Sequence, residues 1–291
     1  MAAYPPPVTV DDFDLSDPEF WLRDRAYRDG AFAALRRDDP VRFYDEFEVE
    51  DPRIPKGKGY WSVTRHDDIW QVSRHPELFC SGQGTNIGDM PVEIAEFFGS
   101  MIAMDDPKHF RLRNIVARAF TPKEIAKVEQ YVREKAAACV DSLLERFPNR
   151  ECDFVQEVAA PMPLQIICEM MGIPPEDEAQ IFGWTNTILG VGDPEYVGSL
   201  DELMTVALSM YQYAHALGED RAANPRDDMT SIMMNATVDG EALTPQEFGS
   251  FFILLVVAGN ETTRTAVAHG MKALTDFPEQ RKIWFDDFET H

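Results

Sequence analysis

The sequence predicts a mainly α-helical protein with a small β-sheet near its N-terminus. Three observations indicate this fold: apolar residues recur at helical spacing over much of the chain, helix-capping residues precede the longest of these stretches, and strand-like patterns are short and few. With 291 residues and 44% hydrophobic content, the chain can bury one large core or two modest ones. We expect one continuous domain over residues 1–291, with a mobile, proline-bearing tail at residues 1–10.

The N-terminal elements start with residues 59–69, whose pattern predicts a strand that leads into a helix. Pro76 should end this helix, because a residue that precedes proline disfavours the helical conformation. Residues 79–104 have no clear periodicity and contain four glycines, which is typical of a long irregular loop. Asp106 is then expected to be the N-cap of the next helix, with Pro107 at the first helical position.

Helix starts in the rest of the chain are marked by capping residues. Thr121 is expected to be an N-cap, with Pro122 at the first helical position and Glu124 completing a capping box. Thr244 begins a second capping box and predicts the start of a long helix. The other predicted elements are helices at 161–171, 176–189 and 195–220, a hairpin at 235–243 that turns at Asp239-Gly240, and a helix from Pro278.

The long helix contains the most informative segment of the chain, residues 258–264, with the sequence Ala-Gly-Asn-Glu-Thr-Thr-Arg. The residues just before it are apolar all round, so this helix is expected to run through the core without a solvent face. Burying Glu261 and Thr262 there is costly unless their polar groups are hydrogen bonded. A local opening of the helix is predicted here for two reasons. Gly259 lowers helix propensity, and Thr262 and Thr263 can hydrogen bond to backbone carbonyls one turn earlier. The alternative is a core helix with a glycine for close packing and internally bonded threonines.

Residues 258–264 resemble the central distal helix of the cytochrome P450 superfamily, the haem-thiolate monooxygenases, whose pattern is Ala/Gly-Gly-x-Asp/Glu-Thr-Thr/Ser. Residues 104–113 resemble the family's helix whose histidine and arginine hold the haem propionates. Here these are His109 and Arg113, which share one helix face because they lie four positions apart. The alternative is that His109 pairs with Asp105 and Arg113 is solvated.

The resemblance runs from about residue 58 to the end of the sequence, and the string Gly-Asn-Glu-Thr-Thr-Arg is most similar to actinobacterial members that act on sterols and branched lipids. It implies the cytochrome P450 fold, in its N-terminal portion, and haem b as the cofactor. It also implies insertion of one oxygen atom from O2 into a C–H bond of a hydrophobic substrate such as a steroid or branched lipid. The electron donors implied by the family are a ferredoxin and a ferredoxin reductase.

The same resemblance assigns roles to residues of the long helix. Glu261 would carry protons from solvent, and the Thr262 hydroxyl would direct a proton to the oxygen that is reduced. Ala258 and Gly259 would leave room for oxygen beside the iron. Leu254 and Val257 would line the substrate pocket, where each buried methylene contributes about 0.8 kcal/mol.

Two further motifs of the family do not occur in this sequence: Glu-x-x-Arg, and the loop Phe-x-x-Gly-x-x-x-Cys-x-Gly that carries the axial cysteine. Cys139 and Cys168 lie at apolar helix positions and are expected to be core thiols, whereas Cys80 and Cys152 lie near loops. We therefore expect an incomplete cytochrome P450 domain that lacks the axial ligand and is inactive on its own. The alternative is a catalytically inactive remnant without stable haem binding.

Charge and composition exclude several other classes of protein. The net charge is −24, from 27 basic and 51 acidic residues, which repels nucleic acid. The cysteine spacing supports neither a metal site nor a disulfide framework, and the Glu-x-x-His pairs of helical carboxylate metalloproteins do not occur. The N-terminus lacks the features of a signal peptide, and no stretch reaches the roughly 18 apolar residues of a membrane span. We expect a cytoplasmic protein.

Overall fold

The computed structural model describes residues 8–47, 56–190, 193, 196, 199–238, 240–288 and 290. Its contacts divide the chain into two compact units, residues 1–109 and 110–291. The described residues form twelve α-helices and four short strands, which confirms the predicted mainly α fold with a small N-terminal sheet. The prediction of one continuous domain stays a prediction.

The first unit combines short helices with a two-stranded sheet. Its elements are α1 (Pro18–Leu22), α2 (Arg25–Asp38), β1 (Val41–Tyr44), β2 (Tyr60–Val63), α3 (His66–Arg74) and α4 (Val92–Gly99). Strands β1 and β2 are antiparallel, with Val41 opposite Val63 and Tyr44 opposite Tyr60. Strand β2 and helix α3 confirm the strand and helix predicted at residues 59–69, whereas α1, α2 and β1 were not predicted.

The core of the first unit is built from the residues before β2. Its buried members are Val8, Leu15, Phe20, Ala31, Leu35 and Tyr44. The predicted tail at residues 1–10 is therefore wrong for its last part, because Val8 is only 7% exposed and packs in this core. Residues 1–7 lie outside the described residues. An apolar valine directly after a proline run carries no periodic signal, so its burial was not visible in the sequence.

Residues 79–104 are not uniformly irregular, contrary to the prediction. They contain α4 and a 3-10 turn at Ser100–Ala103. Asp106 is not an N-cap, because the helix begins only at Lys108, and Asp106 and Pro107 form the turn before it. Helix α5 (Lys108–Ala117) begins directly after this turn, in the first unit, and continues into the second.

The second unit is a set of helices packed around one long helix. After α5 its elements are α6 (Pro122–Arg146), α7 (Pro161–Met171), α8 (Glu178–Leu189), α9 (Leu200–Ala223), α10 (Met229–Met234), β3 (Thr237–Val238), β4 (Glu241–Ala242), α11 (Pro245–Asp276) and α12 (Pro278–Asp286). These confirm the predicted helices, with ends that differ by no more than five residues, and the hairpin; Asp239 of its turn lies outside the described residues. Helix α10 was not predicted.

Helix α11 packs against α7, α8 and α9, and its N-terminal half supplies much of the core. The buried residues of this half include Phe248, Phe251, Phe252, Ile253 and Val256. By length and composition α11 could cross a membrane, which the sequence pattern had led us to exclude. Core helices of soluble proteins pass the same test, so one such helix is weak support for a membrane span.

The caps of the long helices follow the sequence signals in part. Thr244 makes both bonds of the capping box: its Oγ1 accepts from the Glu247 N–H at 3.1 Å, and its own N–H donates to Glu247 Oε2 at 2.9 Å. Thr121 Oγ1 accepts from the Glu124 N–H at 3.4 Å. The Glu124 carboxylate, however, pairs with Lys127 at 2.8 Å, one turn further along the helix. The predicted box at α6 is therefore a single N-cap bond.

Candidate functional site

The polar segment of α11 holds its carboxylate by contacts within the helix. Glu261 Oε1 accepts a hydrogen bond from Thr265 Oγ1 at 3.2 Å, and Glu261 Oε2 pairs with Arg264. Both oxygens are thus engaged by side chains about one turn nearer the C-terminus. This confirms that a partly buried carboxylate here requires polar partners.

Thr262 is exposed, and its Oγ1 donates to the Ala258 carbonyl at 2.7 Å. The predicted bond back to a carbonyl one turn earlier is confirmed. The predicted opening of the helix is not found, since α11 continues without interruption from Pro245 to Asp276. Because the hydroxyl hydrogen is bonded to Ala258, the Thr262 oxygen presents only lone pairs to its surroundings.

The expectation that this stretch has no solvent face is wrong. Leu254 and Val257 are half-buried and Ala258 is exposed, although Phe251 and Val256 are buried. The sequence is apolar all round, but only residues 248–253 of α11 are buried without interruption, and cover is incomplete from Leu254 onward. The predicted roles of Leu254 and Val257 in substrate binding stay predictions.

Gly259 and Asn260 face neighbouring helices. A Cβ on Gly259 would lie 3.2 Å from Cδ1 of Ile167 in α7, so this glycine permits close helix packing. Asn260 is fully buried and donates from Nδ2 to Thr185 Oγ1 in α8 at 3.2 Å. The close packing fits the alternative that the sequence left open, and the proposed role of Gly259 in leaving room for oxygen stays a prediction.

Arg264 connects the carboxylate to α8. Its Nη1 donates to Asn186 Oδ1 at 3.3 Å, while its Nη2 pairs with Glu261. Sequence reasoning missed Asn260, Thr185, Asn186 and Arg264 as members of this network. A buried asparagine must find a partner, which was a usable signal, but the helix that supplies the partner could not be read from the sequence.

His109 lies in the second position of α5 and lines a cavity of about 650 Å³ within the first unit. Its Nδ1 is 3.2 Å from Asp106 Oδ1. The alternative pairing with Asp105 is wrong, because that carboxylate accepts from the backbone N–H groups of Ser81 and Gly82 at 2.7 and 2.9 Å. The partner of His109 is therefore Asp106, three positions earlier, in the turn that precedes the helix.

Arg113 follows His109 by four positions in the same helix and is exposed. No ion pair to its guanidinium occurs among the residues that the structure describes. Its neighbour Arg111, by contrast, pairs with Glu247 and donates to the Ala242 carbonyl at 3.3 Å. Of the two arginines, Arg113 is the one whose charge is available to an anionic ligand.

The cysteines follow the expected division between core and surface. Cys168 is buried, and burial raises the pKa of its thiol to about 12. Burial also raises the pKa of the half-buried Cys139, whereas Cys80 and Cys152 are exposed. Within the described part of the chain, no group of three or more His, Cys, Asp or Glu residues could hold a metal ion.

Comparison with known proteins gives one consistent class of relatives, although no protein-family model matches the chain. The methyl-branched lipid omega-hydroxylase of Mycobacterium tuberculosis (strain H37Rv) is 51% identical over 285 residues, which cover 98% of this chain and 66% of that protein. The steroid C26-monooxygenase of Rhodococcus jostii is 35% identical over 291 residues, covering 96% of this chain and 58% of that protein. The chain thus spans 66% or less of the length of these curated relatives.

A solved structure agrees with the sequence relatives. The Mycobacterium marinum cytochrome P450 in complex with pseudoionone matches with a TM-score of 0.84 at 36% identity. The match covers 96% of this chain and 68% of that one. The fold and the sequence therefore point to the same class of protein.

Proposed function

This chain belongs to the cytochrome P450 superfamily, and we propose that it acts in a haem-dependent monooxygenase that inserts one oxygen atom from O2 into a C–H bond of a hydrophobic substrate. The observation that carries the proposal is the arrangement at the middle of α11. A carboxylate held by two partners, Glu261, directly precedes a hydroxyl, Thr262, on an exposed surface beside the small residue Ala258. A carboxylate, a second oxygen that accepts hydrogen bonds and an exposed small residue are thus adjacent.

The residues present fit haem. The Arg113 guanidinium is exposed and has no ion pair among the described residues, and His109 lies against a cavity in its unit. An arginine and a histidine on one helix are suited to two carboxylate groups, because charge-assisted hydrogen bonds to carboxylates are strong. We propose that His109 and Arg113 hold the haem propionates. When bound, haem supplies the iron at which dioxygen is reduced with two electrons.

Glu261 and Thr262 would divide the handling of protons. The Glu261 side chain is 31% exposed, so water can reach its carboxylate. To deliver a proton it must leave Arg264 and Thr265, which hold both of its oxygens. The Thr262 oxygen accepts hydrogen bonds while its hydrogen stays on the Ala258 carbonyl, so it can orient a protonated partner or a water molecule.

The substrate class is the finer part of the proposal. Leu254 and Val257 present half-buried apolar surface on α11, which favours a substrate with little polarity. The relatives are named as hydroxylases of a methyl-branched lipid and of a steroid, which supports a branched lipid or steroid here. Ferredoxin and ferredoxin reductase are the proposed electron donors. The exposed thiols of Cys80 and Cys152 are compatible with a reducing, cytoplasmic location.

The first test is to read the gene beyond the codon for His291. A Glu-x-x-Arg motif followed by the cysteine loop would supply the ligand that the proposal needs. The encoded protein should then show the reduced carbon-monoxide spectrum of a haem thiolate and hydroxylate a methyl-branched fatty acid or a steroid with a ferredoxin system. If no such sequence follows and the purified protein takes up no haem, the proposal is wrong.

A matched pair of substitutions tests the roles on α11. Thr262→Ala should lower the product formed per electron and raise hydrogen peroxide, because the oxygen that orients the donor is lost. Thr263→Ala, at the neighbouring exposed position, is the control and should behave as the parent protein. Equal behaviour of the two variants would remove Thr262 from the mechanism.

A further inference from the structure

Asn260 is a fully buried polar residue at the middle of α11 that the proposed chemistry does not use. Its Nδ2 donates to Thr185 Oγ1 at 3.2 Å, and Thr185 Oγ1 in turn donates to the Phe182 carbonyl at 2.9 Å. Its Oδ1 is buried and has no hydrogen-bond partner among the residues that the structure describes. A buried acceptor without a partner lowers the stability of the fold.

Rotation of the amide does not remove this deficit. Thr185 has one hydroxyl hydrogen, and it is bonded to the Phe182 carbonyl. If the Asn260 amide were turned, its oxygen could accept that hydrogen only by releasing the carbonyl, and its nitrogen would lose its acceptor. In both orientations a buried polar group of this cluster stays unpaired.

An apolar residue at position 260 would therefore suit the fold better. Thr185 would keep its bond to Phe182, so removal of the asparagine leaves no new unpaired group on α8. The unpaired Oδ1 would disappear with the side chain. Stability alone gives no reason for an asparagine at this position, and its role must be sought in what its bond to α8 fixes.

The bond fixes the position of α8 along α11. Thr185 and Asn186 are consecutive residues near the C-terminal end of α8, and they contact Asn260 and Arg264, which lie one turn apart on α11. A shift of α8 by one residue would break both contacts. Arg264 also pairs with Glu261, so the place of α8 is linked to the orientation of that carboxylate.

We propose that Asn260 is a positioning residue: through its buried bond to Thr185 it fixes the end of α8 on α11, keeps Arg264 between Asn186 and Glu261, and so holds the Glu261 carboxylate in its pair with Arg264. The part that concerns proton delivery rests on the proposed monooxygenase function. The part that concerns α8 does not, because it involves only contacts within the second unit.

The central variant is Asn260→Leu, which removes the bond and the unpaired oxygen together. Its midpoint of urea unfolding should equal or exceed that of the parent protein. Amide hydrogen exchange in the last turn of α8, residues 185–189, should nevertheless become at least about threefold faster, with no change in α7 as the internal reference. Unchanged exchange in α8 would overturn the proposal.

Thr185 provides the matched pair of variants. Thr185→Ser keeps the hydroxyl and should retain the exchange rates of the parent protein. Thr185→Val removes the acceptor and should accelerate exchange in α8 as Asn260→Leu does, while it also destabilises the protein because the Asn260 amide is left without a partner. Equal exchange in the serine and valine variants would contradict a role for this bond.

The effect of Asn260 on Glu261 is measured in the haem-loaded enzyme. Asn260→Leu should increase the fraction of electrons lost as hydrogen peroxide at least about twofold and change the solvent isotope effect on turnover, with KM unaltered. Accelerated exchange without these changes would overturn the link to Glu261. If the protein takes up no haem, the proposed function fails, and the exchange experiment still decides whether Asn260 positions α8.

Discussion

Arg221 and Asp228 form a buried ion pair, with Arg221 Nε 2.6 Å from Asp228 Oδ2 and side-chain exposures of 4% and 5%. Arg221 Nη2 also donates to the Gly172 carbonyl at 2.7 Å, and Asp228 Oδ1 accepts from the Ser231 N–H at 2.7 Å. This one pair therefore joins the end of α7, the last turns of α9 and the start of α10.

Loss of either partner should destabilise the protein. Arg221→Leu leaves the buried Asp228 carboxylate without its cation, which costs about 3–5 kcal/mol. Asp228→Leu should cost less, because Arg221 keeps its pair with Asp220. The double variant should lose less than the sum of the single variants, because no uncompensated charge remains. Urea unfolding of the four proteins measures this coupling. Additive losses would show that the two side chains act independently.

Gly172 should resist substitution for two reasons. It ends α7 with a φ of +71°, and an added Cβ would lie 2.2 Å from Asp228 Oδ2. Gly172→Ala should lower the free energy of unfolding by more than about 1 kcal/mol, the usual cost of the left-handed conformation.

Gly183 is the matched control for this substitution. It lies inside α8, and an added Cβ would meet no atom within 4 Å. Gly183→Ala should raise the free energy of unfolding by about 0.5–1 kcal/mol, because alanine loses less backbone entropy in a helix. Destabilisation of both variants to the same degree would contradict the packing described for Gly172.

Glu178 predicts a stability change that depends on pH. Burial raises the pKa of its carboxyl, and the nearby Lys135 opposes this shift. A raised pKa in the folded state means that the folded protein binds this proton more tightly than the unfolded chain does. The free energy of unfolding therefore falls as pH rises from the pKa of the unfolded state through that of the folded state. Glu178→Gln should therefore stabilise the protein at pH 7 and have little effect at pH 4. Unfolding midpoints at the two pH values test this, and an equal effect at both would refute it.

The four cysteines should react with thiol reagents in a fixed order. The thiolate is the reactive form, and burial raises the pKa of Cys168 to about 12. Labelling at pH 8 followed by peptide mass spectrometry should find Cys80 and Cys152 modified first, Cys139 later and Cys168 only in denaturant. Rapid modification of Cys168 in the native protein would show that α7 opens.

The Thr244 capping box should contribute more than the single cap at Thr121. Thr244→Ala removes the 3.1 Å bond from the Glu247 N–H to Thr244 Oγ1, keeps the backbone N–H that donates to the Glu247 carboxylate, and should destabilise the protein by about 1 kcal/mol. Thr121→Ala removes one bond of 3.4 Å and should have a smaller effect. The difference is measured by urea unfolding of both variants, and a larger effect at Thr121 would contradict the geometry of the two caps.

The elements that the sequence predicted well are those with a capping residue and a long periodic face, such as α6 and α11. The elements it missed lack one or the other. Helices α1 and α10 have five and six residues, too few to show a helical period. Helix α2 buries small residues such as Gly30, Ala31 and Ala34, which give little hydrophobic signal.

The candidate site was predictable in its residue types and not in its contacts. Glu261 and Thr262 attracted attention because polar residues inside an apolar helix are unusual, and their roles came from the resemblance of residues 258–264 to the distal helix of the family. The bond of Thr262 to Ala258 followed from helix geometry. The contacts of Asn260 with Thr185 and of Arg264 with Asn186 depend on how α8 crosses α11. That crossing is set by packing between distant parts of the chain, which no local pattern records.

Residues 248–253 of α11 are buried, whereas the described residues after Asn260 are exposed or half-buried, so the C-terminal part of the helix can tilt as a rigid rod. From Asn260 to Asp276 it extends for about 24 Å at the usual rise per residue. A tilt of about 5° at the anchored point would displace the far end by about 2 Å over this length. A ligand or polypeptide that meets the outer end of α11 could therefore shift that end by about 2 Å while the turn that carries Glu261, next to the anchored point, keeps its position.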